Sequence, residues 1–302
     1  MLPPIQFSIV IPAYNYGHLL ARAVESACVQ SGSDFEVLVI DDGSTDDTPA
    51  IVGNLQARFS VLRSIRQENV GLAAVRNRGV AESAGTYLLF LDADDELEPL
   101  ALDIFRRAIA SHPEAGMLIA PTISVFDDGR VDAGRQPKVS ADPEARFLDF
   151  LYKRLPISNG AVAMHRRLFT LIRYNPELRQ TEDIPVFAHC LANFEAFAVD
   201  APTTRIYKHR GSMRHDIEAA LKLGMSLVDE VFDEGRLPAG LMRHRARYQS
   251  RRALSVFRLS YRAKNYVAAV EYFKVAFAAD QREVLRQPKV VLRYLRCLIA
   301  NL

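Results

Sequence analysis

Cysteine is scarce in this chain: Cys28, Cys190 and Cys297 are the only three in 302 residues. An odd number at such wide spacing fits neither a disulfide framework nor a zinc site, and it favours a reducing, cytosolic setting. A basic leader is also missing; "MLPPIQFSIVIPAYN" reads as a strand rather than a signal peptide. No uncharged apolar stretch approaches the roughly 18 residues that a membrane span requires. Acid is sparse from Arg236 onward, where 15 Lys or Arg stand against Glu271, Asp280 and Glu283. The preceding residues carry 23 bases and 33 acids, so the net charge of +2 conceals an acidic first part joined to a basic tail. The length suggests about two domains. A hydrophobic share of 49% and a charged share of 25% are those of a globular protein.

Over the first 125 residues, strand and helix signals alternate. "FSIVIPAY" (7–14), "FEVLVIDDG" (35–43), "SVLRSIRQ" (60–67), "TYLLFLDADD" (86–95) and "AGMLIAPTISVF" (115–126) read as strands. Helical spacing occupies 18–30, 45–59, 71–84 and 99–112. Near-continuous apolar strands between helices imply an α/β fold, with a mostly parallel sheet sandwiched by helices. Residues 127–145 read as a loop or hairpin, 144–155 as a helix, 158–169 as a strand entering a helix, and 197–213 as a strand entering a polar loop. A further helix begins near Glu182. From about residue 214 the pattern is all-helical. One helix pair interrupted by "KNY" resembles a single tetratricopeptide unit, and "PKVVLRYLRCLIANL" has the spacing of a basic amphipathic helix.

Two acidic clusters sit where these strands end: "DDG" after Ile40 and "DADD" after Leu91. Ligands of parallel α/β sheets bind beyond the carboxyl ends of the strands. Carboxylates converging there repel one another unless a cation or a hydroxyl-rich ligand satisfies them. The alternative for "DADD" is a loop that caps the helix behind it. A third acidic motif, "QTEDIPV" (180–186), opens a helix, where acids also favour the helix dipole.

"SIVIPAYN", "VIDDGSTDDT" (39–48), "ENVGLAAVRNRGVAESAGTYLLFLDADDEL" (68–97) and "QTEDIPV", in that order, resemble the inverting family 2 glycosyltransferases. The resemblance covers roughly residues 5–215. It implies the Rossmann-like A-type nucleotide-diphospho-sugar transferase fold in a catalytic domain at 1–215, followed by a basic helical domain at 216–302. By the same resemblance Asp94 is a metal ligand for Mn²⁺ or Mg²⁺, Asp92 lies near the ribose and metal, and Asp95 either assists or caps the next helix. Asp42 accepts a hydrogen bond from the nucleobase, Gly43 allows the turn, and Ser44 or Thr45 caps the helix after it. Pro12 and Tyr14 line the base, and Arg76 contacts the nucleotide while Arg78 is a surface cation. Asp183 is the catalytic base, with Glu182 beside it. In "YKHRGSM" (207–213), His209 touches the metal or the diphosphate, although the family usually has one more residue between Tyr and His. His165 and His189 read as structural.

What the resemblance implies is metal-dependent, inverting transfer of a sugar from a nucleotide-diphospho-sugar to a hydroxyl of a glycan or lipid-linked glycan in bacterial surface polysaccharide synthesis. Uracil suits a carboxylate at Asp42 through its imide N–H; thymine and guanine nucleotides stay open. A sugar nucleotidyltransferase is the first rival, but "IPAYNYGHLL" lacks the basic, Gly-rich phosphate loop. A catalytically silent scaffold is the second, and the intact "DADD" and "TED" argue against it. The basic tail has no base-reading motif, which argues against nucleic acid. It reads either as a peripheral contact with the inner face of the cell membrane or as a solvated or homo-oligomeric face.

Overall fold

A computed structural model of the chain describes residues 5–208, 221 and 223–300. The chain divides into two compact units: residues 1–176 with 186–212, and residues 177–185 with 213–302.

In the first unit, β1 (Phe7–Ala13), α1 (Gly17–Cys28), β2 (Phe35–Asp41), α2 (Thr48–Arg58), β3 (Leu62–Arg66), α3 (Leu72–Glu82) and β4 (Tyr87–Phe90) follow the expected alternation. Next come β5 (Glu96–Leu97), α4 (Ala101–Ser111), β6 (Met117–Ile119), β7 (Thr122–Phe126), β8 (Val131–Ala133), α5 (Pro143–Leu151) and β9 (Val162–His165). Helix α6 (Asp183–Asn193), which belongs to this unit from Val186 onward, β10 (Ala196–Ala198) and β11 (Thr204–Lys208) complete the series. The main sheet has the order β10-β6-β9-β4-β1-β2-β3. β1 pairs in parallel with β2 and β4, so Ile9 faces Val37 on one side and Leu89 on the other. β9 runs antiparallel between β4 and β6.

Both faces of the sheet are apolar because both are covered. Ile9, Val37, Leu89 and Leu91 share a core with Leu20 and Val24 of α1, Leu55 of α2 and Phe105 of α4. Their neighbours in sequence, Val10, Leu38, Leu88 and Phe90, point the other way, against Val75 of α3 and Phe187 and Leu191 of α6.

Two expected strands are shorter than their apolar runs. The run 115–126 breaks after Ile119: Ala120 donates to the Ala161 carbonyl, Pro121 has no N–H to offer, and from Thr122 the chain joins a second sheet of order β5-β11-β7-β8. β4 stops at Phe90, and after one more ladder bond from Leu91 to Val10 the chain turns, with Asp95 N–H on the Asp92 carbonyl. The polar stretch at 127–145 starts as the β7–β8 hairpin.

The second unit contains α7 (Ser226–Val231), α8 (Arg245–Arg262), α9 (Tyr266–Ala279), α10 (Gln281–Leu285) and α11 (Pro288–Ala300). The "KNY" interruption is the turn between α8 and α9. Lys264 takes a φ of 58° there, and the Asn265 side chain accepts the Ala268 N–H as an N-cap. Leu254, Phe257, Phe273, Val290 and Cys297 form the core of these helices. No helix among the described residues is long and apolar enough to cross a membrane.

Gly85 shows how tightly β1 and the approach to β4 are joined. Its N–H donates to Ser8 Oγ at 2.7 Å, and a Cβ there would lie 2.5 Å from Ser8 N and 2.6 Å from the Phe7 carbonyl carbon. Backbone atoms cannot swing aside, so Gly85→Ala should destabilise the fold by about 1–3 kcal/mol in urea unfolding; an unchanged midpoint would refute this packing.

Candidate active site

The parallel pairing of β2, β1 and β4 puts three chain reversals on one edge. β1 ends in residues 12–16, β2 in 41–44 and β4 in 91–95. β1 lies between the other two, so the two acidic clusters are separated by about two strand spacings, roughly 10 Å.

Asp42 is the brace of this edge. Its N–H donates to the Ala13 carbonyl. Its Oδ1 accepts Gln67 Nε2 at 2.7 Å and Val70 N–H at 3.0 Å, and its Oδ2 accepts Gly71 N–H at 2.8 Å. The carboxylate is 4% exposed, and among the described residues one acceptor position, on Oδ2, is left over. Arg78 belongs to the same relay, since its Nη1 donates to Gln67 Oε1. Arg78 is therefore more than a surface cation. Pro12 is buried opposite Ile40, and Tyr14 stands out from the edge, 47% exposed. A concavity of about 640 Å³ lined by Gly43, Arg66, Gln67, Glu68 and Asn69 opens next to Asp42.

The turn at 41–48 differs from expectation. Neither Ser44 nor Thr45 caps α2. Ser44 Oγ accepts Asn15 N–H and Thr45 N–H donates to Asn15 Oδ1, locking the β1 and β2 reversals together. Asp47 stands at the N-cap position without a side-chain cap bond, and the two oxygens of Asp46 take Thr48 N–H and Gly17 N–H instead.

The second acidic cluster is held by cations and amides from three elements. Arg76 of α3, only 1% exposed, donates from Nη2 to Asp92 Oδ1 at 3.1 Å, and its guanidinium lies 5.5 Å from the Tyr174 ring. It meets Asp92 itself, the group expected near the ribose. Arg22 of α1 donates from Nη2 to the Asp94 carbonyl and stacks 3.5 Å over the Tyr207 ring. Tyr207 gives its N–H to Asp95 Oδ1 and its hydroxyl to Glu96 Oε2. Asp95 does not cap α4, because β5 intervenes and the residue before that helix is Leu100. Burial, then the charges of Asp92 and Asp94, push the Asp95 carboxyl far above the usual carboxylate range. Burial raises the Tyr16 phenol too, followed by Asp94, Asp92 and Asp95, which places the end of β1 within their field. Sequence reasoning missed Arg22, Tyr16 and Tyr207; none sits in an acidic motif, and only the fold brings them to this turn.

Asp183 opens α6, with Glu182 buried just before it. His165 accepts the Arg167 N–H and sets its ring edge-on to Tyr87, and His189 is fully buried. His209 lies outside the described residues. Among the described residues no group of three or more His, Cys, Asp or Glu side chains gathers as a preformed metal cage.

Residues 8–170 match the family described as Glycosyl transferase family 2. The chain belongs to that family. It is 30% identical to the succinoglycan biosynthesis protein ExoO of Rhizobium meliloti over 99% of this chain and 86% of that one. It is 44% identical to chondroitin synthase of Escherichia coli, but over 34% of this chain and only 16% of that protein. Several curated relatives are likewise matched over less than half of their own length. Among solved structures, Staphylococcus aureus TarS in complex with UDP-GlcNAc superposes with a TM-score of 0.60 at 19% identity, covering 92% of this chain and 89% of that one. A mannosyltransferase from Pyrobaculum calidifontis in complex with GDP-Man and Mn²⁺ gives 0.57 at 17% identity, covering 99% and 87%. This family 2 glycosyltransferase therefore has the A-type fold that its motifs imply.

Asp42→Asn separates bracing from ligand contact. The amide keeps the shape but turns an NH₂ toward N–H donors that need an acceptor. With no nucleotide present, the variant should lose about 1–3 kcal/mol in urea unfolding; unchanged stability would show that the carboxylate is not the brace.

Proposed function

We propose that this glycosyltransferase moves a sugar, with inversion, from a UDP-linked donor to a hydroxyl of a glycan or lipid-linked glycan in bacterial surface polysaccharide synthesis. The observation that carries the reading is the shared edge: an Asp42-braced concavity and the Asp92–Asp94 turn lie on either side of the β1 terminus, about two strand spacings apart. That span suits a base at one end and a diphosphate at the other. The relative named for succinoglycan biosynthesis and the neighbour crystallised with UDP-GlcNAc support the same substrate classes.

In this reading Pro12, Tyr14 and Asp42 receive the base, and the remaining Oδ2 acceptor of Asp42 meets one imide N–H. Arg76 fixes Asp92, while Arg22 holds the Asp94 main chain. Two oxygen donors, Asp94 with Asp92 beside it, suit a hard divalent ion that takes its other ligands from phosphate and water, and this is the usual way Mg²⁺ is bound beside a nucleotide. Such an ion, Mn²⁺ or Mg²⁺, supplies charge stabilisation to the departing diphosphate. His209 is a second candidate ligand. Asp183 takes the proton of the acceptor hydroxyl as its oxygen bonds to the anomeric carbon, and the bond from that carbon to the diphosphate oxygen breaks on the opposite face. We assign the donor chemistry to a catalytic domain at 1–215 and treat 216–302 as a separate helical domain.

Two variants test these roles. Asp94→Asn should weaken UDP binding in the presence of Mn²⁺ by about tenfold or more in calorimetry, and leave binding without metal unchanged; an undiminished Mn²⁺ effect would remove Asp94 from the site. Asp183→Asn should bind UDP within about twofold of the parent and lower kcat by about 10²–10⁴. Normal transfer by that variant would end its assignment as the base.

A further inference from the structure

Helix α11 is apolar on two opposite faces. At about 100° per residue, Val290, Tyr294 and Cys297 share one side. Val290 and Cys297 are buried, and the Tyr294 ring stacks on Phe273 at 3.8 Å. Leu292, Leu295 and Ile299 fall on the other side and are 52%, 49% and 72% exposed. Leu285, at the end of α10, is 63% exposed. Large apolar side chains grouped in this way mark a surface that something covers.

The charges around the stripe select what covers it. After Glu283 the chain contains no acid. Arg282, Arg286, Lys289 and Arg296 are exposed, and among the described residues no ion pair holds them. Lys289 and Arg296 line one edge of the stripe, within about 60° of Leu292. A second copy docked through this face about a twofold axis would set one base-rich surface against another, with no acid on α11 to meet it. An anionic phospholipid surface satisfies both features, since acyl chains receive the leucines and headgroup phosphates receive the bases.

We propose that this face of α11 docks on an anionic phospholipid membrane, with Leu292, Leu295 and Ile299 at the acyl boundary and Arg282, Arg286, Lys289 and Arg296 among the phosphates. The proposal does not depend on the reading of the sugar-transfer site, and its test reads binding rather than activity.

The full chain is sedimented with vesicles of phosphatidylcholine alone or with about 30 mol % phosphatidylglycerol, at low and high salt. The bound fraction should rise several-fold with phosphatidylglycerol and fall with added salt. Leu295→Glu with Ile299→Glu should weaken binding to the mixed vesicles by about tenfold or more. Lys289→Glu with Arg296→Glu should remove the preference for phosphatidylglycerol, and because both side chains are exposed this second variant tests the same face if the first fails to fold. Equal, weak binding of the parent chain to both vesicles would overturn the proposal. So would a concentration-dependent dimer in sedimentation velocity that the Leu295→Glu, Ile299→Glu variant dissolves, since the face would then belong to a second copy.

Discussion

Asp92, Asp94 and Asp95 repel one another across a single tight turn, and much of the surrounding architecture answers that repulsion. A fully buried guanidinium, Arg76, meets Asp92. A backbone amide from β11 meets Asp95, and Arg22 grips the main chain of Asp94 from α1. A buried arginine without an acid and a buried acid without an amide would each be heavily penalised. The three partners come from separate elements of the same unit, so the turn keeps its shape only while the sheet, α1 and α3 keep theirs. This coupling links the stability of the first unit to the geometry of its acidic edge.

The other acidic cluster is handled differently. Asp42 spends three of its acceptor positions on residues 67–71 and so fixes the start of α3, the helix that carries Arg76. Gln67 and Arg78 extend the same network. One residue thus connects the two ends of the edge. A contact with a base and a structural brace are compatible in one carboxylate, because the brace leaves a single acceptor position and an imide offers a single donor.

The second unit is built on another principle. Its helices pack around Phe257 and Phe273, and among the described residues none of its arginines is fully buried. Glu283 is the exception that shows the rule: buried to 6% exposure, it collects Arg247 and Arg251. The charge excess of the tail therefore stays on the outside of the helices, where it shapes contacts with other surfaces rather than the core.

The alternation of apolar strands and helical spacing, the acidic ends of β2 and β4, and the switch to an all-helical pattern after about residue 214 were legible in the linear chain, because period and local composition depend on neighbours in sequence. Strand ends were not. The run 115–126 reads as one strand, yet Pro121 and the second sheet divide it. Ser44, Thr45 and Asp95 look like helix caps by position, yet Ser44 and Thr45 bond to Asn15, 29 and 30 residues away, and Asp95 to Tyr207, 112 residues away. Arg22 lies in no motif, and nothing in "YKHRGSM" says that Tyr207 meets Asp95 and Glu96. Motifs and periods were thus determined by the sequence, whereas the partners of each polar group were decided by the tertiary structure: a carboxylate accepts from whichever donor the folded backbone brings within 3 Å, and donors far apart in the chain meet only after the sheet has formed.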